Sequence, residues 1–242
     1  MTIQDAYSRY QIIPSLQLHQ YRVAGVASFI LEKSASKMDR EVISACLLHD
    51  MGNIIKFNLS LFPSFFEPEG VAYWQTVKDR FVITYGNDET QATLLIAREI
   101  FTIPLQKIES SVAPHSSVIH PHRVLELIES VGFSKAGENA QSLDWGAKIA
   151  AYADMRVEPH GVTSLENRLR EGRKRFGKNK PHMHDGELFK EMSKHLRSIE
   201  SQLAHNFQFD PGEITESTVA PYIKDLPQFE LMDPSVANAP SG

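Results

Sequence analysis

Cysteine is almost absent from this chain: Cys46 is the single one in 242 residues. No intramolecular disulfide can form, and a reducing compartment is the expected setting. Cys46 lies in an apolar run, where a free thiol packs as a small, inert hydrophobe. Basic charge is also in deficit. Lys and Arg number 25 against 30 Asp and Glu, a net charge of −5, which gives no electrostatic grip on duplex nucleic acid or anionic lipid. The densest basic stretch, residues 168–180, reads as the solvated face and end of a helix. Long apolar runs are missing as well. Each is broken within about a dozen residues, short of the roughly 20 that a spanning helix needs. The N-terminal MTIQDAYSRY has no basic region followed by an apolar block, so no secretory signal is expected. The expected setting is the cytoplasm, away from membranes. Period-two alternation and internal repeats are lacking too.

Helical periodicity is what remains. Apolar residues make up 42% of the chain and charged ones 23%, ordinary for a globular protein large enough to bury a core. Over residues 14–33, Leu16, Val23, Val26, Phe29 and Ile30 recur at helical spacings, with Pro14 as a first-turn residue. Asp39 caps a second helix from about Arg40, which ends or bends at Gly52-Asn53. Residues 58–68 read as a loop. Helices are expected over 69–85, from about Asp88, between Pro104 and Pro114, and over 121–131, 143–157, 164–176 and 187–207. His182, His184 and Asp185 read as a polar loop capping the last of these. The expectation is one all-α domain over residues 1–207. Residues 208–242, punctuated by Pro211, Pro221, Pro227, Pro234 and Pro240, are expected to form an extended or partly disordered tail. Such an arm could wrap a neighbouring copy in a homo-oligomer.

The stretch ACLLHDMGNIIKF, residues 45–57, places an imidazole and a carboxylate side by side where the surrounding pattern favours burial. Consecutive helical residues point about 100° apart, so His49 and Asp50 share no ridge, yet both can converge on one small object at the helix end. A divalent cation is such an object: imidazole nitrogen and carboxylate oxygen both ligate it, and carboxylate charge offsets the cost of burying it. Two ligands are too few. His19 lies a few residues into the first long helix, and Asp154 lies near the end of the apolar helix WGAKIAAYAD. A buried, uncompensated aspartate there would cost several kcal/mol or be driven neutral. Three helices therefore each bring a ligand-type residue to a place that periodicity would keep inside.

His19, the pair His49-Asp50 and Asp154 resemble the H…HD…D signature of HD-domain metal-dependent phosphohydrolases. HQYRVAG is similar to that family's first motif, LLHDMGN to its second and YADMRV to its third, so the resemblance covers residues 15–160. It implies an all-α HD-domain helical bundle in which His19, His49, Asp50 and Asp154 hold one divalent metal cation, whether Mn, Mg, Fe, Co, Ni or Zn. It also implies hydrolysis of a phosphoester or phosphoanhydride by a metal-activated water, with Asp50 catalytic. The expected substrate is a small phosphorylated molecule, a nucleotide above all.

Such chemistry needs cationic groups for the spreading negative charge and a donor for the leaving oxygen. Arg22, one turn past His19, is a candidate phosphate ligand. Many relatives carry a lysine directly after the glycine of the second motif; here Asn53 stands in that place and Lys56 follows a turn later. Both are candidate substrate residues, as is Arg156 at the rim. His115, just after Pro114, is the candidate proton shuttle. The alternatives are a di-iron oxygenase, drawing on His115 with His120 or His122, and a non-catalytic HD signalling module. No GYP motif follows the HD pair.

Overall fold

A computed structural model describes residues 1–33, 39–61, 63–101, 119–179 and 186–231. Through these the chain is mostly helical. The elements are α1 (Ile3–Arg9), α2 (Pro14–Glu32), α3 (Arg40–Leu48), α4 (Val71–Tyr85), α5 (Glu89–Ile100), α6 (Pro121–Ser130), α7 (Ala136–Gln141), α8 (Trp145–Asp154), α9 (Leu165–Asn179), α10 (Gly186–Phe207) and α11 (Glu216–Ile223). One antiparallel hairpin, β1 (Val157–Glu158) and β2 (Gly161–Val162), interrupts them. Among the described residues no helix is long and apolar enough to cross a membrane.

α2 is the central element. It packs against α3, α8 and α11, while α6 closes on α3 and α8, and α10 covers α8. Pro14 opens α2 at N1, and Val23, Ala24, Val26, Ala27 and Ile30 are fully buried along it. The Asp39 carboxylate accepts from the Val42 N–H at 3.0 Å and caps α3. Asp88 caps α5 in the same way through the Gln91 N–H at 2.8 Å. Asp144 starts α8, accepting from the Ala147 N–H at 3.1 Å and pairing with Arg123 of α6. The Arg123 bond holds the Asp144 carboxyl below its ordinary range against the opposing effect of burial, with the Ala147 N–H adding to it.

Two expectations are corrected. Residues 143–157 do not make one helix: α8 stops at Asp154 and Val157 enters β1. The hairpin has only two residues per strand, too few for alternation to show in sequence. The C-terminal stretch is folded as far as Leu231. A capping box at Thr215 and Thr218 starts α11, which carries Pro221 inside it and buries Val219. Pro221 forgoes one hydrogen bond of a short helix, a small loss beside the docking of α11 on α2. That docking is close: a Cβ at Gly25 would lie 2.7 Å from Val219 Cγ1 and 2.9 Å from Ile223 Cγ1. The Ile3 N–H donates to the Phe229 carbonyl at 2.9 Å and the Leu231 N–H to the Met1 carbonyl at 3.1 Å, so the C-terminal stretch is stitched to α1. The helix expected between Pro104 and Pro114, and the loop bearing His182, His184 and Asp185, lie outside the described residues.

Gly25→Val should lower unfolding free energy in urea by about 1–3 kcal/mol, the usual cost of overpacking, and should strip hydrogen-exchange protection from α11 first. Asp144→Ala should cost about 1 kcal/mol near neutral pH, as lost N-caps do. Because the folded pKa of Asp144 is depressed, its contribution is present above the unfolded value near 3.9 and is lost as pH falls through the folded one. The stability gap between wild type and Asp144→Ala should therefore narrow in acid denaturation curves below about pH 4.

Candidate metal centre

α3 ends at Leu48, and its last carbonyls need partners that the helix cannot supply. Two buried side chains provide them. The Tyr7 hydroxyl of α1 donates to the Leu47 carbonyl at 2.7 Å, and the His49 ring contacts the Cys46 carbonyl through Nδ1 at 2.8 Å. Nδ1 therefore carries a hydrogen, which leaves Nε2 to face the cluster. His49 Nε2 is buried and has no hydrogen-bond partner. An orphaned imidazole nitrogen aimed into a polar cluster is what a metal ligand looks like once its other nitrogen is anchored.

The turn after α3 is fixed by α2 and α5. The Asp50 N–H meets Gln20 Oε1 at 3.4 Å, and the Gly52 N–H donates to Thr93 Oγ1 at 2.9 Å. A Cβ at Gly52 would sit 2.4 Å from the Glu89 carbonyl oxygen and 2.8 Å from the Thr93 nitrogen. Only glycine lets the turn lie this close to the first turn of α5.

Held in this way, the ligand-type residues converge. His19 Nε2 is 3.2 Å from Asp154 Oδ1, and His49 Nε2 is 3.5 Å from the same oxygen. Asp50 Oδ2 stands 3.7 Å from His19 Nε2 and 3.6 Å from His49 Nε2. One ligand atom from each of His19, His49 and Asp154 lies within 4.8 Å of the others, a group that could hold a metal ion. Metal–ligand bonds of about 2.0–2.2 Å leave adjacent donors about 3.0–3.5 Å apart, so contraction by a few tenths of an ångström closes a coordination shell. Two imidazoles with carboxylates suit first-row divalent ions.

The electrostatics agree with that fit. Burial opposes a charge on His49, but Asp50 beside it and the Asp154 carboxylate 3.5 Å away outweigh burial and lift its pKa to about 9. Burial would raise Asp154, yet its bond to His19 and the neighbouring His49 imidazole hold the carboxyl well below the ordinary range. The cluster favours positive charge, which a divalent cation would supply. The Cys46 thiol, buried behind His49, is pushed up by burial and stays protonated.

The remaining candidates are placed unevenly. Arg22 lies one turn beyond His19, with Nε and Nη2 both 2.8 Å from Glu216 Oε1. Asn53 is buried and starts a 3-10 turn, its N–H bonded to the Asp50 carbonyl at 3.0 Å. Lys56 at the end of that turn is half-exposed, with Nζ 3.8 Å from Glu89 Oε1. Arg156 does not reach the rim. Its side chain is 2% exposed, and it donates to the carbonyls of Thr163, Pro211 and Ile214 and to the Tyr152 hydroxyl. A guanidinium with its donors spent on carbonyls is a structural tie, not a substrate ligand. His115 lies outside the described residues.

Tyr7, Gln20 and Thr93 escaped the reading of the sequence, although all three support the turn that carries His49 and Asp50. Gln20 offered a signal: a fully buried amide directly after a ligand-type histidine, on a helix whose neighbours are apolar.

Mn²⁺ at 100 times its dissociation constant should raise wild-type stability by about 2.7 kcal/mol, seen as an upward shift in Tm that a chelator reverses. Asp154→Asn should remove most of that shift and most of the metal found by elemental analysis. An equal shift in both proteins would mean that the ion binds elsewhere. Compared with known proteins, the chain matches no protein-family model, no curated protein and no solved structure.

Proposed function

We propose that this chain is a metal-dependent phosphohydrolase of the HD-domain kind, cleaving a phosphoester or phosphoanhydride of a nucleotide or other small phosphorylated metabolite. The observation that carries the reading is the meeting of two imidazole Nε2 atoms and two carboxylates from three helices, one of those nitrogens buried without a partner. The resemblance at His19, His49-Asp50 and Asp154 supports it independently, since the residues it pairs are the ones that stand together.

A divalent cation held by His19, His49, Asp50 and Asp154 supplies Lewis acidity toward a phosphate oxygen and toward water. The chain's own groups do the rest. Asp50 is the carboxylate placed to take a proton from the entering water. Arg22 offers a guanidinium fork to the phosphate, in exchange for the half-exposed Glu216 carboxylate. Lys56 adds positive charge from the 3-10 turn beyond Asn53.

The oxygenase alternative needs further histidine ligands. His120 and His122 open α6, and the His120 N–H is bonded at 3.0 Å to Glu41, in the first turn of α3. That is the opposite end of α3 from His49, about 12 Å away at 1.5 Å per residue. A non-catalytic module would tolerate loss of ligand positions, whereas every position here carries a ligand-type side chain.

Purified protein supplied with Mn²⁺ should hydrolyse phosphate from members of a nucleotide and sugar-phosphate panel. Asp50→Ala should lose both the metal and the activity while its circular dichroism stays helical. Wild-type rates in the Asp50→Ala protein would defeat the mechanism.

A further inference from the structure

We propose that His160, at the tip of the β1–β2 hairpin, is the proton donor to the leaving group at this centre; the inference rests on the hydrolase reading above. Ser15, His19 and Arg22 recur on α2 at positions i, i+4 and i+7 and so form one ridge. At its first end, Ser15 Oγ donates to the Phe65 carbonyl at 3.4 Å. The His160 ring centroid lies 6.2 Å from that of Phe65, with the planes at 55°. At the other end, a Cβ on Gly161 would lie 3.0 Å from Glu216 Oε2 and 3.9 Å from Arg22 Nη2. The Val162 N–H donates to Glu216 Oε2 at 2.8 Å. The hairpin tip is thus tied near both ends of the ridge, and both strands of the hairpin pack on α2. Gly161, with φ +147°, permits the tip to run this close.

His160 is exposed, so its ring nitrogens are open to a substrate entering over the ridge. The Phe65–His160 pair is not a slot for a flat base. A base held between two rings needs parallel planes about 7 Å apart, twice a van der Waals gap, whereas these rings are tilted and closer. Phe65 instead braces the imidazole.

No other described histidine is better placed. His19 and His49 are committed as ligands, His120 and His122 open α6, and His195 and His205 lie on α10, which covers α8.

In the step, the bond between phosphorus and the leaving oxygen breaks and its electron pair stays on that oxygen, which takes a proton from the His160 imidazolium. The oxygen of the entering water forms the new bond to phosphorus. The surplus proton of that water passes to Asp50 and from there to solvent, from which His160 is recharged. One proton is given and one returned, and no redox partner is needed.

The test compares wild type, His160→Ala and His160→Gln, all loaded with Mn²⁺, on 4-nitrophenyl phosphate, phenyl phosphate and a nucleoside 5′-monophosphate. Loss of a general acid should cut turnover of the alkyl ester about 100-fold. Turnover of the nitrophenyl ester, whose leaving group needs no proton, should fall by much less. Metal content should be unchanged in both variants. Equal effects on all three esters, or none, would overturn the assignment of His160 alone. A wild-type protein inert toward all three would overturn it together with the hydrolase reading.

Discussion

Negative charge concentrated at one point is the constraint on which this architecture turns. Asp50 and Asp154 are only 22% and 17% exposed, and each stands at the C-terminal end of a helix, α3 for one and α8 for the other. A helix C-terminus carries about half a negative charge of its own, so neither helix end stabilises the carboxylate beside it. The carboxylates lift His49 against its burial, and the imidazoles hold Asp154 down against its own. A divalent ion, which this group could hold, would resolve the conflict. The arrangement makes little physical sense for a structural core, where replacing buried ions by apolar residues is often neutral or stabilising.

The surrounding structure follows from holding those ends together. α2 must pass both helix termini, so it is buried along most of its length. Tyr7 takes up one loose carbonyl of α3 and His49 itself takes another. Gly52 lets the turn settle onto α5, and Thr93 meets the N–H exposed there. On the α8 side, Asp144 caps the start while Arg156 gathers the carbonyls of Thr163, Pro211 and Ile214 just past the end. The ligands are thus positioned by polar contacts one layer out, where small displacements at a metal site are normally controlled.

How much of this could be read from sequence depends on the range over which each signal acts. Helix positions were legible because apolar spacing and caps are local: Pro14, Asp39, Asp88 and Pro121 all mark helix starts in the structure. His19, His49, Asp50 and Asp154 were legible because each breaks an apolar pattern. Arg156 was misread because its partners at Pro211 and Ile214 lie more than 50 residues away, and nothing in YADMRV announces them. The hairpin was missed because two residues per strand carry no periodicity. α11 was hidden by Pro221, which reads locally as a breaker, while the compensating contact is with Gly25 on a helix at the far end of the chain.

That distant contact gives the C-terminal stretch a part in the site. Docking of α11 on Gly25 delivers Glu216, and Glu216 holds two things at once: the Arg22 guanidinium and the N–H of Val162 beside the hairpin tip. Arg22 is 14% exposed and Glu216 50%, so the pair sits at the boundary with solvent. Ion pairs at such positions contribute at most about 1 kcal/mol. Under the proposed hydrolase reading, a dianionic phosphate beside a metal would offer Arg22 a stronger partner than a single screened carboxylate. Glu216 can therefore orient the guanidinium in its absence without blocking the exchange, while its second oxygen keeps the hairpin in register. A carboxylate buried deeper would have locked Arg22, and one further out would not have held it.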